Sequence, residues 1–86
     1  MLDVLIIVPR CGLVKWRQAN SERIASIQLG TETGRFTDGK KFRYIVADGD
    51  WIDRIRGLSF REYKIEQGAN LTTREIAALQ ARMQIS

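Results

Sequence analysis

The chain has 86 residues, of which 44% are apolar and 28% charged, and this composition is typical of one small globular domain rather than a disordered segment. It contains no histidine and one cysteine, Cys11, which excludes histidine-dependent catalytic triads, zinc hydrolases and an internal disulfide. Fourteen Lys and Arg against ten Asp and Glu give a net charge of +4, which permits nucleic-acid binding without establishing it.

The first predicted element is a buried strand. Leu2 to Val8 is an almost continuous aliphatic run that ends at Pro9. Continuous rather than alternating apolarity is typical of a strand covered on both faces, as in a parallel α/β sheet. The run is too short for a signal peptide or a membrane span, so we expect a cytoplasmic protein without a membrane segment.

The segment after this strand has two interpretations. Its apolar residues recur at helical spacing, which favours one helix from about Leu13 to Gln28, ended by Gly30. The residues with this spacing are Leu13, Trp16, Ile24 and Ile27. In the competing interpretation the second half is a strand, with an alternating face made of Ala25, Ile27 and Leu29.

A β-hairpin is predicted next. Asp38-Gly39 is a strong two-residue turn signal, and Lys41 to Ala47 reads as a strand that pairs with Arg35 to Thr37. The stretch from Gly34 to Lys41 also fits the GxxxxGK spacing of a phosphate-binding loop. However, Lys41 stands where a hydroxyl residue should bind magnesium, and no helix follows, so the hairpin is the better interpretation.

The last third of the chain predicts a helical turn, a strand and a helix. Trp51 to Ile55 fits a single helical turn, and Tyr63 and Ile65 alternate with charged residues in a short strand. Thr72 and Glu75 form a T-x-x-E capping box for a helix over about residues 72–83. Residues 1–86 therefore predict a single small α/β (or α+β) domain, with a sheet of three to four strands and two main helices.

Residues 53–82 carry the most specific pattern in the chain. The phrase Arg56-Gly57-Leu58-Ser59-Phe60 precedes a strand ending at Glu66-Gln67, which is followed by Gly68-Ala69-Asn70 and the capped helix. This order resembles the Walker B region of phage terminase large subunits and, more distantly, of phosphate-starvation-inducible P-loop ATPases. The resemblance places Glu66, a possible metal ligand, at the magnesium-binding acid and Gln67 at the catalytic carboxylate.

Departures from that family pattern argue against catalysis. Gln67 can position water but cannot accept its proton, and no phosphate-binding loop accompanies it. We therefore expect a non-catalytic binding protein of phage or prophage type without a cofactor. It would be a degenerate terminase-like fragment that contacts a larger protein complex or a nucleic-acid backbone, for example to inhibit a host system. The alternative is a partial ATPase module that completes a site for Mg²⁺ and ATP with a partner chain.

The candidate contact residues are basic side chains in two segments. Arginines in the glycine-containing loop of residues 54–61 suit sequence-independent phosphate contacts, although Arg56 also has Asp53 as a local partner. Phe42 and Tyr44, in the hairpin, fit either base stacking or core packing. So small a core is also compatible with a homo-oligomer. The basic candidates are Arg35, Lys40, Lys41, Arg43, Arg54, Arg56 and Arg61.

Overall fold

A computed structural model describes residues 2–28 and 30–83. Within these residues the chain forms five strands and three helices. The strands are β1 (Leu2–Val8), β2 (Ile24–Gln28), β3 (Thr33–Phe36), β4 (Lys41–Val46) and β5 (Phe60–Ile65). The helices are α1 (Leu13–Ala19, between β1 and β2), α2 (Trp51–Arg54, between β4 and β5) and α3 (Thr73–Arg82, after β5). None of these helices is long and apolar enough to cross a bilayer.

All five strands belong to one sheet with the spatial order β2-β3-β4-β1-β5. β1 runs parallel to both of its neighbours, so that Ile6 pairs with Tyr44 of β4 and with Lys64 of β5. β2, β3 and β4 form an antiparallel extension on one side. The predicted α/β class is therefore confirmed, and the central position of β1 explains its continuous apolar sequence.

Helices cover both faces of the sheet around β1. Trp16 of α1 packs on the face to which Val4 and Ile6 point. Trp51 of α2 and Leu79 of α3 pack on the opposite face, with Leu5 and Ile7. The alternate residues of β1 thus belong to two separate clusters, and the domain has three layers.

The predicted helix over residues 13–28 is wrong in its second half. α1 ends at Ala19, where the side-chain amide of Asn20 donates to the carbonyl of Trp16 at 2.8 Å, and β2 follows. A β-bulge between Ile24 and Ser26 shifts the register of β2. The bulge brings Ile24 and Ile27 to the same apolar cluster, so a three-residue spacing arises in a strand.

The competing interpretation is correct in predicting a strand here, but the predicted alternating face of that strand is wrong. Ala25 is exposed rather than buried, because the bulge interrupts the alternation, and Leu29 lies outside the described residues. The predicted number of three to four strands is too low, since the sheet has five strands in the described part of the chain, including β2.

The hairpin between β3 and β4 is confirmed, with a loop one residue longer than predicted. The N–H of Phe36 donates to the carbonyl of Lys40 at 2.9 Å, and the N–H of Gly39 donates to that of Phe36 at 3.0 Å. These bonds enclose a three-residue loop, Thr37-Asp38-Gly39, in which Gly39 has φ = +90°. The GxxxxGK spacing therefore lies in a hairpin.

The C-terminal helix begins with the predicted capping box. Thr72 Oγ1 accepts the N–H of Glu75 at 3.2 Å, and Glu75 Oε1 accepts the N–H of Thr72 at 2.9 Å. Glu75 Oε2 also accepts the indole N–H of Trp51 at 2.6 Å, which ties α3 to α2. The N–H of Thr72 and, second, the indole of Trp51 lower the pKa of Glu75 below its ordinary value of 4.5, because both bonds favour the charged carboxylate.

Candidate functional site

The antiparallel extension of the sheet has one apolar and one polar face. Except for Ile45 in β4, the large apolar residues of β2, β3 and β4 point toward α1, where Phe36 and Phe42 stack with ring centroids 4.4 Å apart. On the opposite face Ile45 is buried with Trp51, and the other side chains that alternate with the apolar residues are exposed or half-buried. This opposite surface, called the basic sheet face below, consists of Ser26, Gln28, Thr33, Arg35, Lys41 and Arg43.

The strand register places basic residues beside one another on this face. Arg35 of β3 lies directly opposite Lys41 of β4, and Thr33 lies directly opposite Arg43. Like charges in directly opposed positions destabilise a sheet, since their side chains are close enough to repel. Among the described residues, none of these three cations forms a salt bridge. Asp3 accepts the backbone N–H of Lys41 at 2.8 Å but does not pair with its ammonium group.

A groove borders the basic sheet face at the amino ends of β1 and β4. It has a volume of about 510 Å³, and no carboxylate lines it within the described part of the chain. It is formed by Leu2, Gln28, Thr31, Thr33, Lys41, Arg43, Gly57, Leu58 and Ser59. The groove therefore brings together residues of the hairpin and of the glycine-containing loop, although the arginines predicted as contact residues in that loop do not line it.

Arg43 is the most constrained cation of this groove. Its side chain is half-buried between neighbouring strands, and its Nε is fully buried without a hydrogen-bond partner in the described residues. A buried N–H group without a partner costs free energy, and the cost is larger for a charged group.

The arginines of residues 54–56 lie elsewhere and have local partners. Arg54 pairs with Asp48 through Nη2 and Oδ1 at 3.2 Å, and donates to the carbonyl of Val46 at 3.0 Å. Arg56 pairs with Asp53 at 3.3 Å, as the local alternative in the sequence suggested. Both pairs are exposed and add little stability, but each places a carboxylate beside the arginine and reduces its attraction for phosphate.

The other two predicted basic residues also lie off the basic sheet face. Lys40 points across the opposite side of the sheet to Glu62 of β5, with Nζ and Oε1 3.7 Å apart. Arg61 is exposed on β5, which β1 and β4 separate from β3. Of the seven basic candidates, the structure brings together Arg35, Lys41 and Arg43.

Glu66, the possible metal ligand, lies in a cleft between α1 and β5. Its Oε1 accepts the indole N–H of Trp16 at 3.1 Å and lies 3.7 Å from Nζ of Lys64. Three cations and three carboxylates line this cleft, which has a volume of about 280 Å³. In residues 2–28 and 30–83, no three Asp, Glu, His or Cys side chains come together in a group that could hold a metal ion.

Phe42 and Tyr44 do not contribute to a binding surface. They are 0% and 4% exposed and pack beneath α1, with the ring centroid of Trp16 5.6 Å from that of Phe42. The core interpretation of these residues is confirmed, and base stacking by them is not possible in this fold. The basic sheet face presents charges and hydrogen-bond donors without an aromatic platform.

The polar side chains that accompany the three cations were not predicted from the sequence. Thr31 Oγ1 donates to Oε1 of Gln28 at 3.2 Å and lies 2.7 Å from Oγ1 of Thr33. Alternate residues of a strand point to the same face, so the sequence could have predicted that Thr33 lies on one face with Arg35, and Lys41 with Arg43. The participation of Thr31 and Ser59 depends on loop geometry and has no such signal.

No protein-family model, curated protein or solved structure matches this chain. The resemblance of residues 53–82 to terminases and related ATPases therefore rests on its sequence pattern and stays a prediction. The arrangement of the basic sheet face follows from the strand register and does not depend on that resemblance.

Proposed function

We propose that this protein is a non-catalytic binding protein that holds the phosphate backbone of a nucleic acid on its basic sheet face. The observation that carries the proposal is the direct cross-strand pairing of Arg35 with Lys41, two residues from Arg43, without a salt bridge to any described carboxylate. In the free protein the positive charges of these three side chains repel one another. A bound polyanion relieves the repulsion and releases counterions from its own phosphates.

The composition of the face favours phosphates over bases as the recognised groups. Arg and Lys side chains with hydroxyl and amide neighbours are the usual donors to phosphate oxygens, and they carry no sequence information. The absence of aromatic side chains among the described residues of this face removes stacking as a source of affinity. We propose weak, salt-sensitive and sequence-independent binding that operates as one part of a larger complex. The phage-type setting of that complex is proposed from the pattern in residues 53–82.

The proposal is tested by fluorescence anisotropy with labelled oligonucleotides, single-stranded and duplex, over a salt series. If three cations contact a duplex, log K falls against log salt with a slope of about −2.7, and affinity decreases about 40-fold between 50 and 200 mM salt. The triple variant Arg35→Gln, Lys41→Gln, Arg43→Gln should bring the slope close to zero. Absence of measurable binding by the wild-type protein at 50 mM salt would refute the proposal.

A matched control separates this face from the net charge of the protein. Arg10, Lys15 and Arg74 are exposed and lie outside the basic sheet face. Replacing these three residues with Gln removes the same amount of charge and should leave most of the affinity and salt dependence in place. If both triple variants lose binding equally, the interaction depends on overall charge and the proposed face is wrong.

A further inference from the structure

The groove beside the basic sheet face has features that a flat interface does not need. It sits where β1 and β4 begin, and the residues 57–59 loop forms its other wall. We propose that this groove binds the terminal phosphate monoester of a nucleic-acid strand, with Arg43 as the main contact. The inference rests on the proposed function and narrows it, since it names the part of the nucleic acid that is recognised.

Charge and donor number favour a monoester over an internal phosphodiester. Lys41 and Arg43 supply two positive charges, and Ser59 supplies a hydroxyl donor. A phosphate monoester carries a charge of about −1.5 to −2 at neutral pH and has three free acceptor oxygens. A phosphodiester carries one negative charge and has two free oxygens, so it would leave part of this set unpaired.

The polar wall of the groove is held in place by the protein itself. The hydroxyl groups of Thr31 and Thr33 lie 2.7 Å apart, and Thr31 donates to Gln28 at 3.2 Å. Thr33 also lies directly opposite Arg43 in the β3–β4 register. These contacts use the hydroxyl protons of both threonines and fix the wall of the groove beside Arg43 before a ligand arrives, which lowers the entropy cost of binding.

The position of Arg43 on the groove wall and the size of the groove agree with this ligand. Arg43 lines the groove although its Nε is buried, so a phosphate would contact the accessible part of this side chain. The volume of about 510 Å³ falls within the range of about 300–1,000 Å³ that is usual for small-molecule sites. It therefore has room for the terminal nucleotide, with Leu2 and Leu58 forming an apolar wall beside the sugar.

The inference is tested with one oligonucleotide prepared in three forms: with a 5′-phosphate, with a 3′-phosphate and with hydroxyl groups at both ends. We expect a phosphorylated form to bind about tenfold more tightly than the hydroxyl form at constant salt. Inorganic phosphate should remove this preference by competition, and in NMR spectra it should shift the side-chain resonance of Arg43 Nε. If the three forms bind equally, the groove assignment is wrong and the proposed function stands. If no form binds at all, the proposed function fails as well.

Single-residue variants then show which side chains cause the preference for a phosphorylated end. Arg43→Gln should abolish the preference for a phosphorylated end and retain weak binding. Arg35→Gln, on the same face but outside the groove, should weaken all three forms by the same factor and keep the preference. Because Arg43 is half-buried, exposed Lys41→Gln serves as a second groove variant and should reduce the preference in a folded protein. An unchanged preference in both groove variants would overturn the inference.

Discussion

Replacing Glu75 with Gln tests how the two helices on one face of the sheet are joined. The Glu75 carboxylate accepts from the N–H of Thr72 at 2.9 Å and from the indole N–H of Trp51 at 2.6 Å. Gln retains one acceptor oxygen and can serve in a capping box, but its NH₂ group cannot accept the second bond. The variant therefore leaves either Thr72 or Trp51 without its acceptor.

The expected loss of stability follows from the type of bond. A hydrogen bond to a charged group contributes about 1.5–3 kcal/mol, and the half-exposed position of Glu75 lowers this to about 1–1.5 kcal/mol. In a domain of this size, a change of that magnitude lowers the melting temperature by about 4–12 °C. Urea unfolding at pH 7, followed by tryptophan fluorescence, measures the difference directly.

The pH dependence provides a second and more specific readout. Because the pKa of Glu75 is lowered in the folded state, its contribution is fully present above the unfolded pKa, near its ordinary value of 4.5. The contribution is lost as the pH falls through the lowered folded pKa. The difference between wild type and Glu75→Gln should therefore shrink below about pH 4.5. The exposed Glu22, replaced with Gln, is the control. A difference that stays constant from pH 7 to pH 3 would refute the reasoning.

Two further predictions concern local packing and capping. A Cβ at Gly34 would lie 2.5 Å from the carbonyl oxygen of Ser26 and 2.6 Å from Cζ of Phe42. Gly34→Ala should therefore destabilise the fold by about 1–3 kcal/mol in thermal unfolding, whereas Gly30→Ala, with open space around it, should change stability little. Thr72→Ala removes the side-chain cap of α3 and should cost about 1 kcal/mol, with exposed Thr73→Ala as control. Equal effects within either pair would contradict these assignments.

Elements with strong local signals could be predicted from the sequence. A few neighbouring residues are enough to predict the aliphatic strand β1, the Asp38-Gly39 turn and the capping box at Thr72. β2 could not be predicted in this way, because its bulge gives Ile24 and Ile27 the spacing of a helix. Periodicity alone does not distinguish a bulged strand from a helix, and the pairing with β3 decides the outcome.

The types of residue in the candidate site could be predicted from the sequence, but their arrangement in space could not. Basic residues of the hairpin and of the 54–61 loop were expected to act together, but the part of that loop that lines the groove with Arg43 is Gly57 to Ser59, which contains no basic residue. The separation of Arg35 from Lys40 was not predicted, since it depends on the register of the hairpin and on which side of the sheet each residue faces. The pairing of Arg54 with Asp48 depends on how α2 returns toward the end of β4.

The position of β1 in the sheet has a consequence for synthesis on the ribosome. β1 is translated before β4 and β5, yet it hydrogen-bonds to both of them through parallel pairings. Once β4 has left the exit tunnel as far as Val46, one side of β1 can be completed, and the other side stays open until β5 has also emerged as far as Ile65. During that interval the apolar segment Leu2–Val8 has an unpaired edge that other chains can join, so slow elongation between these two points should favour aggregation.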